Sequence, residues 1–175
     1  MKIGTVGAEG RGETDRLISQ AAARLEEEGL RLSGIIKVLQ DQPEGSHHCD
    51  MDVRVLPSDK TIRITQSLGQ GSTGCRLNPA AIADAVASVE AEACTGLSDK
   101  ADLFVLNKFG PEESEGRGFR TAIATALEQD IPVLVGMSGG ADNKTAFAEF
   151  SAGLAEALPA DVDAIVAWCL DAHRK

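Results

Sequence analysis

No apolar run in this 175-residue sequence approaches the roughly 18 residues of a membrane-spanning helix. The opening "MKIGTVGAEGR" has too short an apolar core for a signal peptide, so a cytoplasmic protein is the default expectation. Positive charge is also scarce: 17 basic against 27 acidic residues give a formal net charge of −10. Nucleic acid and anionic membrane both require a basic footprint, and this balance argues against either as a partner. It still allows a small anion in one local electropositive pocket. The four cysteines (Cys49, Cys75, Cys94, Cys169) form no C-x-x-C pair and read as reduced thiols in a cytosolic chain. Two of the three histidines share one loop, so no Ser/His/Asp or Cys/His catalytic arrangement can be assembled.

What is present is a chain long enough for one domain with a proper core, 43% hydrophobic and therefore not disordered. "KIGTV" (2–6) reads as a buried strand ending in a glycine-rich loop. A helix follows over about 14–28, with Leu17, Ile18, Ala21, Ala22 and Leu25 on one face and Gly29 as its stop. "RLSGIIKVL" (31–39) is the next strand. "DVRVL" (52–56) and "KTIRITQ" (60–66) alternate and form a hairpin at or beyond a sheet edge. Asn78 and Pro79 open a second helix. "ADLFVLNKFG" (101–110) and "IPVLVGM" (131–137) are continuous apolar runs of the kind buried on both faces. The tail suggests two helices, one carrying Phe147, Phe150, Leu154 and Leu158, the other Val162, Ile165, Val166 and Cys169. The pattern predicts a three-layer α/β sandwich with a mostly parallel sheet and a β-hairpin insertion.

Ligands in such sheets bind beyond the carboxyl ends of the strands, where loops 7–14, 107–118 and 138–144 should gather. The first, "GAEGRGET", has the glycine spacing of a phosphate-binding P-loop, G-x-x-x-x-G-K-[ST], through Gly7, Gly12 and Thr14. Its glycines, Gly10 included, would let backbone N–H groups face an anion, and the helix that follows adds its positive dipole end. Thr14 stands where a hydroxyl normally ligates Mg²⁺ beside a nucleotide. The lysine position, however, is Glu13. A carboxylate about 4 Å from a phosphate charge costs roughly 4 kcal/mol at an effective dielectric near 20. Arg11 and Lys108 are the candidate neutralising cations. The bland alternative is a glycine turn that only joins strand to helix.

After the strongest strand, Asn107 and Lys108 occupy the place of the acidic pair of a Walker B strand end, and Glu112, Glu113 and Glu115 follow as candidate bases, metal ligands or helix-dipole partners. The literal G-x-G-x-x-G at Gly69, Gly71 and Gly74 follows a hairpin rather than a parallel unit, so it reads as a flexible loop, with Arg76 beside it. "HHCD" groups His47, His48, Cys49 and Asp50; with Cys75 they could hold Zn²⁺ or Cu²⁺, although the spacing fits no standard zinc motif.

"CDMDVRVL", "RITQSLGQGSTGCRLNP", "ADLFVLNKFGPEESEGRGFR" and "IPVLVGM", in this order, resemble the bacterial domain-of-unknown-function family 2478 over nearly the whole chain. That family in turn is similar to small P-loop nucleoside-triphosphatases, which implies a P-loop NTPase-like fold. The resemblance brings no established activity. An association of relatives with molybdate-handling genes implies an oxyanion- or metal-linked role. Measured against the nucleoside-triphosphatases, the charges at positions 13 and 108 are exchanged, and this predicts a Glu13–Lys108 pair across the site. The functional expectation is a nucleotide or phosphate-like anion bound at a degenerate loop, with weak or no hydrolysis. Gly7, Gly10, Arg11, Gly12, Glu13, Thr14, Asn107 and Lys108 line that site. The alternatives are a regulatory module responding to metal or oxyanion through the 47–50 loop, and a hydrolase using Glu112 or Glu115.

Overall fold

The computed structural model describes residues 1–39, 51–58, 60–66, 76–95, 100–137 and 139–174. Among them a seven-stranded sheet carries the fold. Its strands are β1 (Ile3–Val6), β2 (Leu32–Lys37), β3 (Asp52–Leu56), β4 (Thr61–Arg63), β7 (Leu103–Phe109), β8 (Val133–Met137) and β9 (Ala155–Ala157), in the spatial order β4-β3-β2-β7-β8-β1-β9. β2, β7, β8, β1 and β9 run parallel, and β3 and β4 close one edge as the antiparallel hairpin. Two short strands, β5 (Thr65–Gln66) and β6 (Arg76–Leu77), pair separately. This is an α/β arrangement of the P-loop NTPase-like kind.

The parallel strands are buried on both faces because side chains alternate across the sheet. Leu103 and Val105 of β7 join Leu134 of β8 beneath α1 (Glu13–Glu27) and α6 (Val162–Arg174). Phe104 and Leu106 face the other way, into a second core shared with α2 (Pro79–Thr95), α4 (Arg120–Glu128) and α5 (Ala141–Phe150). The α1 periodicity holds as expected: Leu17, Ile18, Ala21, Ala22 and Leu25 are all buried. Asn78 opens α2 by accepting the Ala80 amide on Oδ1 at 3.0 Å. Cys169 lies fully buried on α6, and burial pushes its thiol up to about 12.

The tail differs from the sequence expectation. The helix with Phe147 ends at Phe150, and a turn through Ala152 (φ 48°) and Gly153 (φ 74°) leads into β9. Leu154 is therefore 60% exposed rather than part of a helical face. β9 pairs with β1 through Ile3–Ala155 and Thr5–Ala157. Parallel pairing imposed by the neighbouring strand overrides the weak local preference of Ala155–Ala157.

Candidate functional site

Because β1, β2, β7 and β8 are parallel, loop 7–12, Lys37, the end of β7 and the end of β8 meet at one rim of the sheet. The loop turns on two left-handed glycines, Gly10 (φ 100°) and Gly12 (φ 83°). Gly12 is the N-cap of α1, and no side chain caps that helix. Thr14 is buried, and its Oγ1 accepts the Ala8 amide at 3.0 Å, which ties the two ends of the loop together.

The residue that organises the rim is Asp15, whose side chain is 4% exposed. Its Oδ2 takes the Lys37 ammonium at 3.0 Å. Its Oδ1 accepts from Asn107 Nδ2 at 3.0 Å and faces Lys108 Nζ at 3.3 Å. Asn107 in turn accepts the Lys37 backbone N–H at 3.0 Å, and the Lys37 carbonyl accepts from Ser19 Oγ at 2.8 Å. α1, β2 and β7 are thereby joined by one polar network. Burial works against an ionised Asp15, but Lys108, Lys37 and Asn107 together outweigh it and hold the carboxyl below its ordinary range.

Consecutive strand residues ordinarily point to opposite faces. Asn107 and Lys108 nevertheless reach the same oxygen, and the reason lies in the register. Leu106 pairs with Val135 and Phe109 with Met137, so β7 spends one more residue than β8 across this interval. Such an irregularity re-aims side chains. Gly136 makes room opposite it, since a Cβ there would overlap the Asn107 carbonyl oxygen.

The charge exchange expected between positions 13 and 108 takes a different form. Glu13 Oε2 is held by Arg16, at 3.1 Å from Nε and 2.9 Å from Nη2, one turn along α1. Lys108 pairs with Asp15 instead. The (i, i+3) spacing brings Arg16 to Glu13 on the outer face of the helix, whereas Asp15 points inward to the sheet. Lys37 and Asp15 were not among the sequence candidates.

The glutamates after β7 are tied into their own segment. Glu112 and Glu115 both hold Arg117, at 2.9 and 2.7 Å. Glu113, buried, accepts the Gly110 amide at 2.9 Å and the Phe119 amide at 3.1 Å, which shapes the turn around the short helix α3 (Pro111–Ser114). Burial raises its carboxyl above the ordinary range despite these bonds, and Glu112 adds to the rise. Among the described residues, no three His, Cys, Asp or Glu side chains gather as a metal site. The metal candidates His47, His48, Cys49 and Cys75, with Asp50 and the glycines 69–74, lie outside the described residues. Also among the described residues, no helix is long and apolar enough to cross a membrane.

The side-chain oxygens of Asp15, Thr14 and Asn107 are already matched to donors. Asp15 is met by two ammonium groups and an amide, Thr14 by the Ala8 N–H, and Asn107 by the Lys37 N–H. A divalent cation at Asp15 would have to displace both lysines.

No solved structure matches the chain. A curated relative, the Molybdenum import ATP-binding protein ModC 2 of Bradyrhizobium diazoefficiens, is 31% identical over 161 residues. The match takes in 91% of this chain and 17% of the relative, so the chain spans only a small part of that protein's length. A family model matches residues 3–168, nearly the whole sequence. The chain belongs to the family described as "Protein of unknown function (DUF2478)".

Proposed function

We propose that the chain binds a nucleotide or another phosphate-like anion at loop 7–14, with weak or no hydrolysis. The observation that carries this reading is the convergence of Lys37 and Lys108 on the single buried carboxylate of Asp15 beside that loop. The three groups leave one formal positive charge at the rim of a chain whose net charge is −10. Gly7, Gly10 and Gly12 supply backbone donors, Arg11 adds charge from within the loop, and the uncapped first turn of α1 adds its positive end. The relative's description as an ATP-binding protein favours a nucleotide among such anions. Poor hydrolysis follows from the groups at hand. β7 ends in an amide and an ammonium, and Glu112, Glu113 and Glu115 are occupied by Arg117 and by backbone amides.

A second reading is a regulatory module responsive to oxyanion or metal through His47, His48, Cys49 and Cys75. It is favoured by the molybdenum-import role in the relative's name.

A thermal-shift panel separates the two. A ligand at 100 times its Kd adds about 2.7 kcal/mol, which in a chain of this size raises Tm by roughly 5–10 °C. Stabilisation by ATP, GTP or phosphate supports the first reading, and stabilisation by Zn²⁺ or molybdate alone supports the second. Absence of any shift contradicts both. Phosphate release in the same samples measures hydrolysis, and rapid turnover would contradict that part of the proposal.

A further inference from the structure

We infer that this site takes its anion without a divalent cation, with the ammonium groups of Lys37 and Lys108 standing where a metal ion would stand. The inference rests on the anion-binding reading and names the form of ligand the site accepts: the free polyanion or small oxyanion rather than its Mg²⁺ complex.

Mg²⁺ demands near-octahedral oxygen coordination and is ordinarily anchored by one or two carboxylates together with the phosphates. Of the carboxylates in and beside the loop, Asp15 and Glu13 are already engaged, and Glu9 is exposed on the loop itself. Asp15 has Lys37 at 3.0 Å on one oxygen, and Lys108 at 3.3 Å and Asn107 at 3.0 Å on the other. Glu13 is turned to Arg16. At the strand end, where an acid would face the metal, the side-chain Oδ1 of Asn107 accepts the Lys37 backbone N–H. A divalent ion placed at Asp15 would meet two ammonium groups.

The same two groups suit an anion. An ammonium has three N–H donors, and the side chains of Lys37 and Lys108 remain 26% and 36% exposed while bound to Asp15. Donors are left over, and Asp15 fixes where they stand. In the described residues, Lys37 supplies from β2 and Lys108 from β7 what a metal ion supplies elsewhere, a concentrated positive charge beside the loop. In solution Mg²⁺ would compete with the protein for the nucleotide.

The test compares ATP and inorganic phosphate binding to the full chain by equilibrium dialysis, in EDTA and in excess Mg²⁺. Expected is saturable binding in EDTA, with a Kd for ATP equal to or lower than that in Mg²⁺. Lys37→Met should weaken binding in EDTA by about tenfold or more, as expected for loss of one charge-assisted contact. Lys37→Arg, which keeps the charge, should bind within a few-fold of wild type. ATP binding that requires Mg²⁺, or is tightened more than about tenfold by it, overturns the metal-free site while leaving the anion-binding reading intact. An unchanged Kd in Lys37→Met also overturns it. Binding in neither buffer removes both. The EDTA and Mg²⁺ arms need no variant, so the outcome does not depend on a substitution folding.

Discussion

Lys108 Nζ lies 3.3 Å from Asp15 Oδ1, on a carboxylate that also holds Lys37 at 3.0 Å. The carboxylate at the P-loop lysine position, Glu13, is not its partner; it leans outward to Arg16. Position 13 has therefore left the centre of the site, and the next residue but one has entered it. The rim keeps the glycine turn, while its charge is now set by Asp15 and two lysines from β2 and β7.

Asp15→Asn should destabilise the protein by about 2 kcal/mol in urea titrations at pH 7. Leaving a buried pair half-made costs roughly 3–5 kcal/mol, and the partial exposure of both lysines reduces that figure. The folded carboxyl sits below its unfolded value, so its contribution is complete above the ordinary carboxylate range. The contribution is lost as pH falls through the lower folded value. The stability gap between wild type and Asp15→Asn should accordingly close as the solution is acidified.

Glu113 should show the opposite sign. Its folded carboxyl is raised, chiefly by burial, so its contribution is complete below the unfolded value and is lost as pH rises through the folded one. The stability of wild type relative to Glu113→Gln should be greatest in acid and decline toward neutrality. Denaturant midpoints measured at several pH values would check this, and a gap that grows with pH would contradict it.

Gly136→Ala should be costly although the substitution adds one methyl group. The new Cβ would overlap the Asn107 carbonyl oxygen and come within 3.2 Å of Thr14 Cγ2, so β7 and β8 would have to separate at the irregularity that aims Asn107 and Lys108. A loss of about 2–3 kcal/mol, of the order seen for overpacked cores, is expected in thermal or urea unfolding. Anion binding should fall with it.

Glu13→Lys should leave stability within about 0.5 kcal/mol, because the Glu13–Arg16 pair is half exposed at both ends. It should tighten nucleotide binding by restoring a cation at the loop. Calorimetric titration with ATP measures both the affinity and its direction of change, and a weaker affinity would count against loop 7–14 as the phosphate site.

Much of this architecture is legible in the sequence because the signals are local. The apolar runs of β7 and β8, the glycine loop and the α1 stripe each state their structure within a few residues. The alternating 52–56 and 60–66 segments state the β3–β4 hairpin, although its second strand ends at Arg63 and residues 65–66 pair with β6 instead. β9 is not legible, since "AEA" carries no β-branched residue and exists as a strand through its pairing with β1. The site itself is half legible. Asn107 and Lys108 stand out at a strand end, but Asp15 looks like an ordinary acidic residue in the first turn of a helix. Lys37 is 22 residues from Asp15, and Asn107 is 92. Only the parallel order of the sheet brings them together, and a buried carboxylate leaves no periodic trace in a sequence.

Backbone amide chemical shifts followed while ATP, and separately phosphate, is titrated into the ¹⁵N-labelled chain would locate the anion. The proposed site predicts saturable shifts concentrated at Gly10, Gly12, Glu13, Thr14, Lys37, Asn107 and Lys108. Shifts confined to another region, such as the cavity between Met1, Leu154 and Trp168 at the far end of β1, or no saturable shifts at all, would contradict it.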